Sequence, residues 1–186
     1  MNRDNIFADD IDEVIISEDE IQDRIKELAR DITKLYPQDE EVIMVCILRG
    51  AFIFMADLAR YIDLPVVFDF MDVSSYGEKT TSSGVVRIIK DLEENIENRH
   101  VLLVEDIMDT GTTLKHVIDM LKTRNPASIR VATLLDKPER RVVKQMEADF
   151  NGFEIPDKFV VGYGLDFSEK YRNLPYIGVL KKELYS

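Results

Sequence analysis

Three carboxylates and three hydroxyls crowd positions 105 to 113: Glu105, Asp106 and Asp109, then Thr110, Thr112 and Thr113, with Gly111 among them. Adjacent carboxylates suit vicinal hydroxyls or a hard divalent cation such as Mg²⁺. A third carboxylate just beyond them suits proton transfer. Gly111 lets the backbone approach a ligand closely, and a helix starting there would offer N–H groups and hydroxyls to an anion. One substrate would need all of this: a metal-bound polyol or diphosphate at one end and a separate phosphate at the other.

These groups must be positioned by the elements around them. Val101 to Val104 is an all-apolar run, which predicts a strand buried on both faces of a parallel sheet. The loop after such a strand opens at the sheet's carboxyl edge, where open α/β folds bind ligands. Val42 to Leu48 is a second buried strand, running into Arg49-Gly50 and an apolar helix over about 51–61. A cation and a glycine at that turn again suit an anion. Strands are also predicted over Pro65 to Val73, Val85 to Lys90, Ile129 to Leu135 and Tyr176 to Lys181. The polar stretch from Ser74 to Gly84 cannot pack a core and is expected to be mobile, either as a lid that excludes water or as an ordinary hairpin connection. Lys137 follows the Ile129–Leu135 strand, beside the central loop if the sheet is parallel.

Upstream, Ser17 and Glu20 form a capping-box pattern. Ile21, Ile25, Leu28, Ile32 and Leu35 give an amphipathic helix ending before Pro37. Val14 to Ile16 could be an edge strand or pack on a lobe above the site. Residues 139–158 say least: Val142, Val143 and Met146 suit a helix face or part of a hairpin.

Phosphoribosyl diphosphate has the required substrate layout, and Val101 to Leu114, V-L-L-V-E-D-I-M-D-T-G-T-T-L, resembles the signature that binds it in type I phosphoribosyltransferases. The E-D-I-x-D-T-G form is similar to the 6-oxopurine branch, the hypoxanthine-guanine phosphoribosyltransferase family. The resemblance covers roughly residues 12–182 and five motifs in the family's order. It implies one domain over 1–186: a mostly parallel, doubly wound α/β sheet flanked by helices, with a small hood from the N-terminal segment and residues around 139–170. It implies transfer of a phosphoribosyl group to hypoxanthine or guanine with Mg²⁺, by a homodimer or homotetramer.

By the same resemblance, Glu105 and Asp106 hold the ribose hydroxyls and metal, and Asp109 is the general base for the purine N7 proton. Thr110, Gly111, Thr112 and Thr113 hold the 5′-phosphate. Arg49, Gly50 and Arg172 bind diphosphate, after a Leu48–Arg49 peptide that can be cis. Ser75 and Tyr76 close over the diphosphate. Lys137 reads the purine O6, Phe159 stacks on the base, and the Val160 main chain addresses its edge. Asp166 approaches a second metal or the purine 2-position. Asp109 would need enhanced basicity, expected from burial beside Glu105 and Asp106.

The composition constrains the alternatives. The chain has 186 residues, 45% of them hydrophobic, which suits a single core. A net charge of −12 without a Lys/Arg cluster disfavours an RNA-binding regulator and anionic membranes. A receiver domain would spread its acids over two strand ends. No G-x-G-x-x-G follows a strand and no G-K-[ST] occurs, which argues against nicotinamide and nucleoside-triphosphatase chemistry. His100 and His116 lack companions at metal-ligand spacing. Cys46 is the only cysteine, and no apolar leader or bilayer-length stretch is seen, so a soluble cytoplasmic protein is expected.

Overall fold

The computed structural model describes residues 6–75 and 86–185. Strand β2 (Val42–Leu48) shows how the sequence makes layers. Val42, Met44 and Cys46 enter one core, while Ile43, Val45 and Ile47 enter another on the opposite face. A strand apolar at every position must be covered on both sides, because successive side chains point to opposite faces. Strands β5 (His100–Met108) and β6 (Ser128–Asp136) divide in the same way: Val104 and Leu134 join the first core, Leu103 and Val131 the second. Each such side chain contributes about 1.5–3 kcal/mol on full burial.

Helices α1 (Glu18–Leu35) and α2 (Phe52–Ala59) cover the first face, and α3 (Thr112–Lys122) covers the second. The Ser17 hydroxyl and the Glu20 carboxylate cap α1 reciprocally, worth about 1 kcal/mol. Ile21, Ile25, Leu28 and Ile32 are buried as the spacing predicts, but Leu35 is 47% exposed. Tyr36 takes the inward place instead, because the backbone turns extended there.

The main sheet has the order β4-β3-β2-β5-β6-β7, with β3 spanning Val66–Ser75, β4 Val86–Lys90 and β7 Phe150–Glu154. All neighbours are parallel except the edge pair β3–β4. From β2 the chain moves outward through α2 to β3; from β5 it moves the other way through α3 to β6. The two central strands therefore flank a topological switch point, and their carboxyl ends open a crevice between diverging loops.

A second, antiparallel sheet joins β1 (Ile11–Ile16), β9 (Ile177–Leu180) and β8 (Val160–Val161). The stretch 139–170 divides between the two sheets. Phe150–Glu154 is neither helix nor hairpin but the last parallel strand of the main sheet, while Val160–Val161 belongs to the small one. The short run Val142 to Met146 forms only turns. Gly152 lies so close to the Leu134 carbonyl that any side chain there would collide, which is how a glycine inside a strand marks close backbone approach. Arg24 of α1 donates to the Asn151 and Gly152 carbonyls at 2.8 and 3.0 Å, covering backbone acceptors of this edge strand.

Candidate active site

At the carboxyl ends of β2 and β5 lies a cavity of about 320 Å³. Its walls bring together Arg49, Gly50, Glu105, Asp106, Asp109, Thr110, Gly111, Thr113, Asp166 and Arg172. Parallel pairing of β2 with β5 sets the two strand ends side by side. The Leu48–Arg49 peptide is cis. A Cβ on Gly50 would collide with the Asp106 carboxylate, and one on Gly164 with the Gly50 carbonyl. Three chain segments thus meet here, Gly164 directly against the Gly50 backbone and the Asp106 carboxylate against Gly50 itself.

Glu105 and Asp106 are still within β5. Burial pushes the Glu105 carboxyl well above the usual range, and the neighbouring Asp106 charge adds to this. Burial also raises Asp106, to about 6, against the hydrogen bond from the Ile107 N–H and the nearby Arg172 charge. Two desolvated adjacent carboxylates are a fitting partial shell for a hard divalent cation. Among the described residues no three metal-ligating side chains converge. The donor set therefore suits an ion that takes its remaining oxygens from substrate and water, as Mg²⁺ does.

Gly111, at φ +78°, turns the chain into α3, and Thr112 N–H reaches the Thr110 hydroxyl at 3.3 Å. The first-turn N–H groups of a helix have no carbonyl within it to bond and favour an anion through the helix dipole. Thr110 and Thr113 face the cavity, whereas the exposed Thr112 has its hydroxyl against Thr110 instead.

Asp109 departs from expectation. The strong desolvation falls on Glu105 and Asp106, while the Asp109 side chain keeps 39% of its accessibility. The strand runs on to Met108, so Asp109 begins the turn and projects toward the segment after β6. Arg140 Nε lies 2.8 Å from Asp109 Oδ1, an ion-pair contact without a well-aligned hydrogen bond.

Lys137 is 7% exposed. Its N–H reaches the Met108 carbonyl at 3.0 Å, and its ammonium donates to the Lys158 carbonyl at 2.6 Å, with Asp157 at 3.6 Å. That carbonyl immediately precedes Phe159 and the buried Val160. These three residues form a group outside the lining of the acidic cavity, with the Lys137 backbone bonded to the end of β5. Phe159 is stacked on Tyr185 (centroids 4.6 Å, 20° between planes) and meets Phe167 edge-on at 5.7 Å. Asp166 pairs with Arg172 at 2.9 Å. Ser74 and Ser75 belong to β3, and the rest of the expected lid, from Tyr76 to Gly84, lies outside the described residues.

Arg141 has a place at the site that sequence reasoning missed. It is nearly buried, donates to the Asp109 carbonyl at 2.5 Å and pairs with the nearly buried Asp136. Val142 and Val143 N–H both bond to the Thr110 carbonyl, and a Cβ on Gly111 would press on Met146 and Arg141. The turns after Lys137 thus hold the anion loop from behind. Arg49, Arg140, Arg141, Arg172 and Lys137 set five cations around carboxylates in a chain of net charge −12.

Comparisons with known proteins agree with this geometry. Residues 17–168 match the family described as phosphoribosyl transferase domain. The chain is 53% identical over 176 residues to hypoxanthine-guanine phosphoribosyltransferase of Bacillus subtilis, covering 95% of this chain and 97% of that one. It superposes on a crystal structure of a hypoxanthine phosphoribosyltransferase from Staphylococcus aureus with a TM-score of 0.94 and 51% identity, over 98% of each chain. A hypoxanthine-guanine phosphoribosyltransferase from Bacillus anthracis gives 0.87 at 44% identity, over 92% of this chain and 99% of that one. The match to the family model and the identity to these relatives over most of the chain show that it belongs to the hypoxanthine-guanine phosphoribosyltransferase family.

Proposed function

We propose that the chain joins a 6-oxopurine, hypoxanthine or guanine, to C1′ of phosphoribosyl diphosphate and releases diphosphate. The observation that carries this reading is the single crevice in which an acidic pair, two arginines and a helix N-terminus meet. Each matches one part of that substrate. The α3 N-terminus, with Thr110 and Thr113, takes the 5′-phosphate. Glu105 and Asp106 take the ribose hydroxyls and the metal. Arg49, Gly50 and Arg172 take the diphosphate.

Bound Mg²⁺ would supply charge neutralisation for the leaving diphosphate. As the C1′–O bond breaks, the sugar becomes oxocarbenium-like, and the anionic floor at Glu105 and Asp106 stabilises it. Asp109, at the mouth of the anion loop, accepts the purine N7 proton. The hood sheet carries the purine-side group. Phe159 has one face on Tyr185, which leaves the other for the base, a contact worth about 1–3 kcal/mol. Lys137 can donate to O6 but cannot accept from an exocyclic amino group, so adenine is disfavoured.

Lys137→Ala is expected to weaken hypoxanthine and guanine binding at least tenfold while leaving phosphoribosyl diphosphate binding nearly intact, about the loss of one charge-assisted hydrogen bond. Equilibrium titration of each ligand checks this, and equal weakening of both would assign Lys137 a purely structural part. The test of the whole reading is an ultraviolet assay of hypoxanthine, guanine, xanthine and adenine with phosphoribosyl diphosphate and Mg²⁺. Turnover of neither hypoxanthine nor guanine would end it.

Two further assignments belong to this proposal. Phe68 and Phe70 are exposed on one face of β3, and they support a contact between copies in a homodimer or homotetramer. Sedimentation of Phe70→Lys against the parent chain tests that. Cys46 is the only cysteine, so the chain can form no internal disulfide, which supports a reducing, cytoplasmic setting; it is buried, its thiol pushed up to about 12 by burial, an inert form.

A further inference from the structure

One carboxylate beside the cavity, outside its lining but paired with two of its arginines, belongs to none of the roles above. Oε2 of Glu169 lies 3.1 Å from Arg49 Nη1 and 3.4 Å from Arg172 Nη2. A single oxygen therefore joins two guanidiniums that arrive from different parts of the chain. Both are the groups assigned to the diphosphate. The backbone that presents Glu169 is fixed: its N–H bonds to Asp166 Oδ2 at 2.9 Å, and Phe167 and Lys170 close a two-way bridge. Ser168, Glu169 and Tyr171 all adopt positive φ, +53°, +63° and +75°, a conformation that L side chains adopt at a cost. This pairing does little for stability, since Arg49 and Glu169 are 64% and 65% accessible. What it does is place a negative charge where an anionic ligand needs the same N–H donors.

We propose that Glu169 is an internal anion seated in the diphosphate site, competing with diphosphate for Arg49 and Arg172 and so limiting how tightly the leaving group is held. The inference rests on the transferase reading above. Diphosphate, with more charge and more oxygens than one carboxylate, displaces it on binding, and Glu169 returns as diphosphate leaves. Between turnovers Glu169, together with Asp166 on Arg172, balances the charge of the two cations, and Glu169 opposes product retention.

The experiment titrates inorganic diphosphate into the full chain by calorimetry at fixed Mg²⁺. Glu169→Gln is expected to bind about 3- to 10-fold more tightly than the parent, the gain from removing one exposed carboxylate from two guanidiniums. The product-inhibition constant for diphosphate should fall equally. The gain should shrink as salt is raised, because the competition is electrostatic and solvent-exposed. Glu169→Asp, which keeps the charge, should stay near the parent. Glu97→Gln, an exposed carboxylate near the amino end of β5, should change nothing. Unchanged or weaker diphosphate binding by Glu169→Gln, with the parent binding normally, overturns the inference and leaves the transferase reading standing. Failure of the parent itself to bind diphosphate overturns both.

Discussion

Asp109→Asn is expected to lower kcat by about 10²- to 10⁴-fold with little change in either KM, the range lost when a positioned general base is removed. The substitution keeps the shape of the side chain and its backbone turn, so the anion loop beside it should hold its phosphate. The proton acceptor is lost, and with it the solvent-exposed ion pair to Arg140, which is worth little by itself. Glu105 and Asp106 are not expected to replace it, because they lie desolvated in β5 and, on the proposed reading, serve the sugar and metal. The 39% accessibility of Asp109 matters here: a base that must meet an incoming purine has to stand at the opening. Steady-state kinetics with guanine, following both substrates, check this. A kcat within a few-fold of the parent would remove Asp109 from the proton transfer and leave Arg140, its ion-pair partner, with no catalytic context.

The second large effect is expected at Arg141. Arg141→Met leaves Asp136 with its charge nearly buried and its guanidinium partner gone, a loss of about 3–5 kcal/mol in unfolding free energy. Urea denaturation measures it. The variant Arg141→Met/Asp136→Leu removes both charges and should recover most of that stability, since a buried pair replaced by apolar groups is often nearly neutral. Phosphoribosyl diphosphate binding should not recover with it, because the donor to the Asp109 carbonyl is still missing. Stability and ligand affinity would then separate in one set of variants. If the double variant regained both, Arg141 would be holding the fold alone and not the anion loop.

How much of this was written in the sequence depends on how far apart the interacting parts lie. The strands β2, β5 and β6 were legible because each is an uninterrupted apolar run, and their order with α2 and α3 gives the parallel sheet. The acidic pair and its glycine turn were legible because they are local. Strand β7 was not: Phe150-Asn151-Gly152 lacks β-branched residues, and Gly152 is required by the nearby Leu134 carbonyl, a contact outside its own segment. Asp109 was expected to share the burial of Glu105 and Asp106 because proximity along the chain was read as proximity to the floor. The strand instead continues through Met108 and delivers it to the rim. Arg141 and Glu169 could not be singled out, since each acquires its role from partners in another segment of the chain. Leu35 was assigned inward by counting turns, but it is the last residue of α1, and the extended Tyr36 after it fills the inward place.

The bare backbones of Gly50 and Gly164, with Asp106 resting on the first, leave the diphosphate end with no adjustable spacer. A side chain at position 164 would run into the Gly50 carbonyl and force backbone apart, and one at position 50 would displace the Asp106 carboxylate from the acidic pair. The proposed purine end is built differently, from a lysine, aromatic rings and the edge of the small three-stranded sheet, which can be repacked one side chain at a time. Retooling this scaffold for a modified nucleobase is therefore a matter of redesigning that half, while the sugar-phosphate half serves as a fixed chassis.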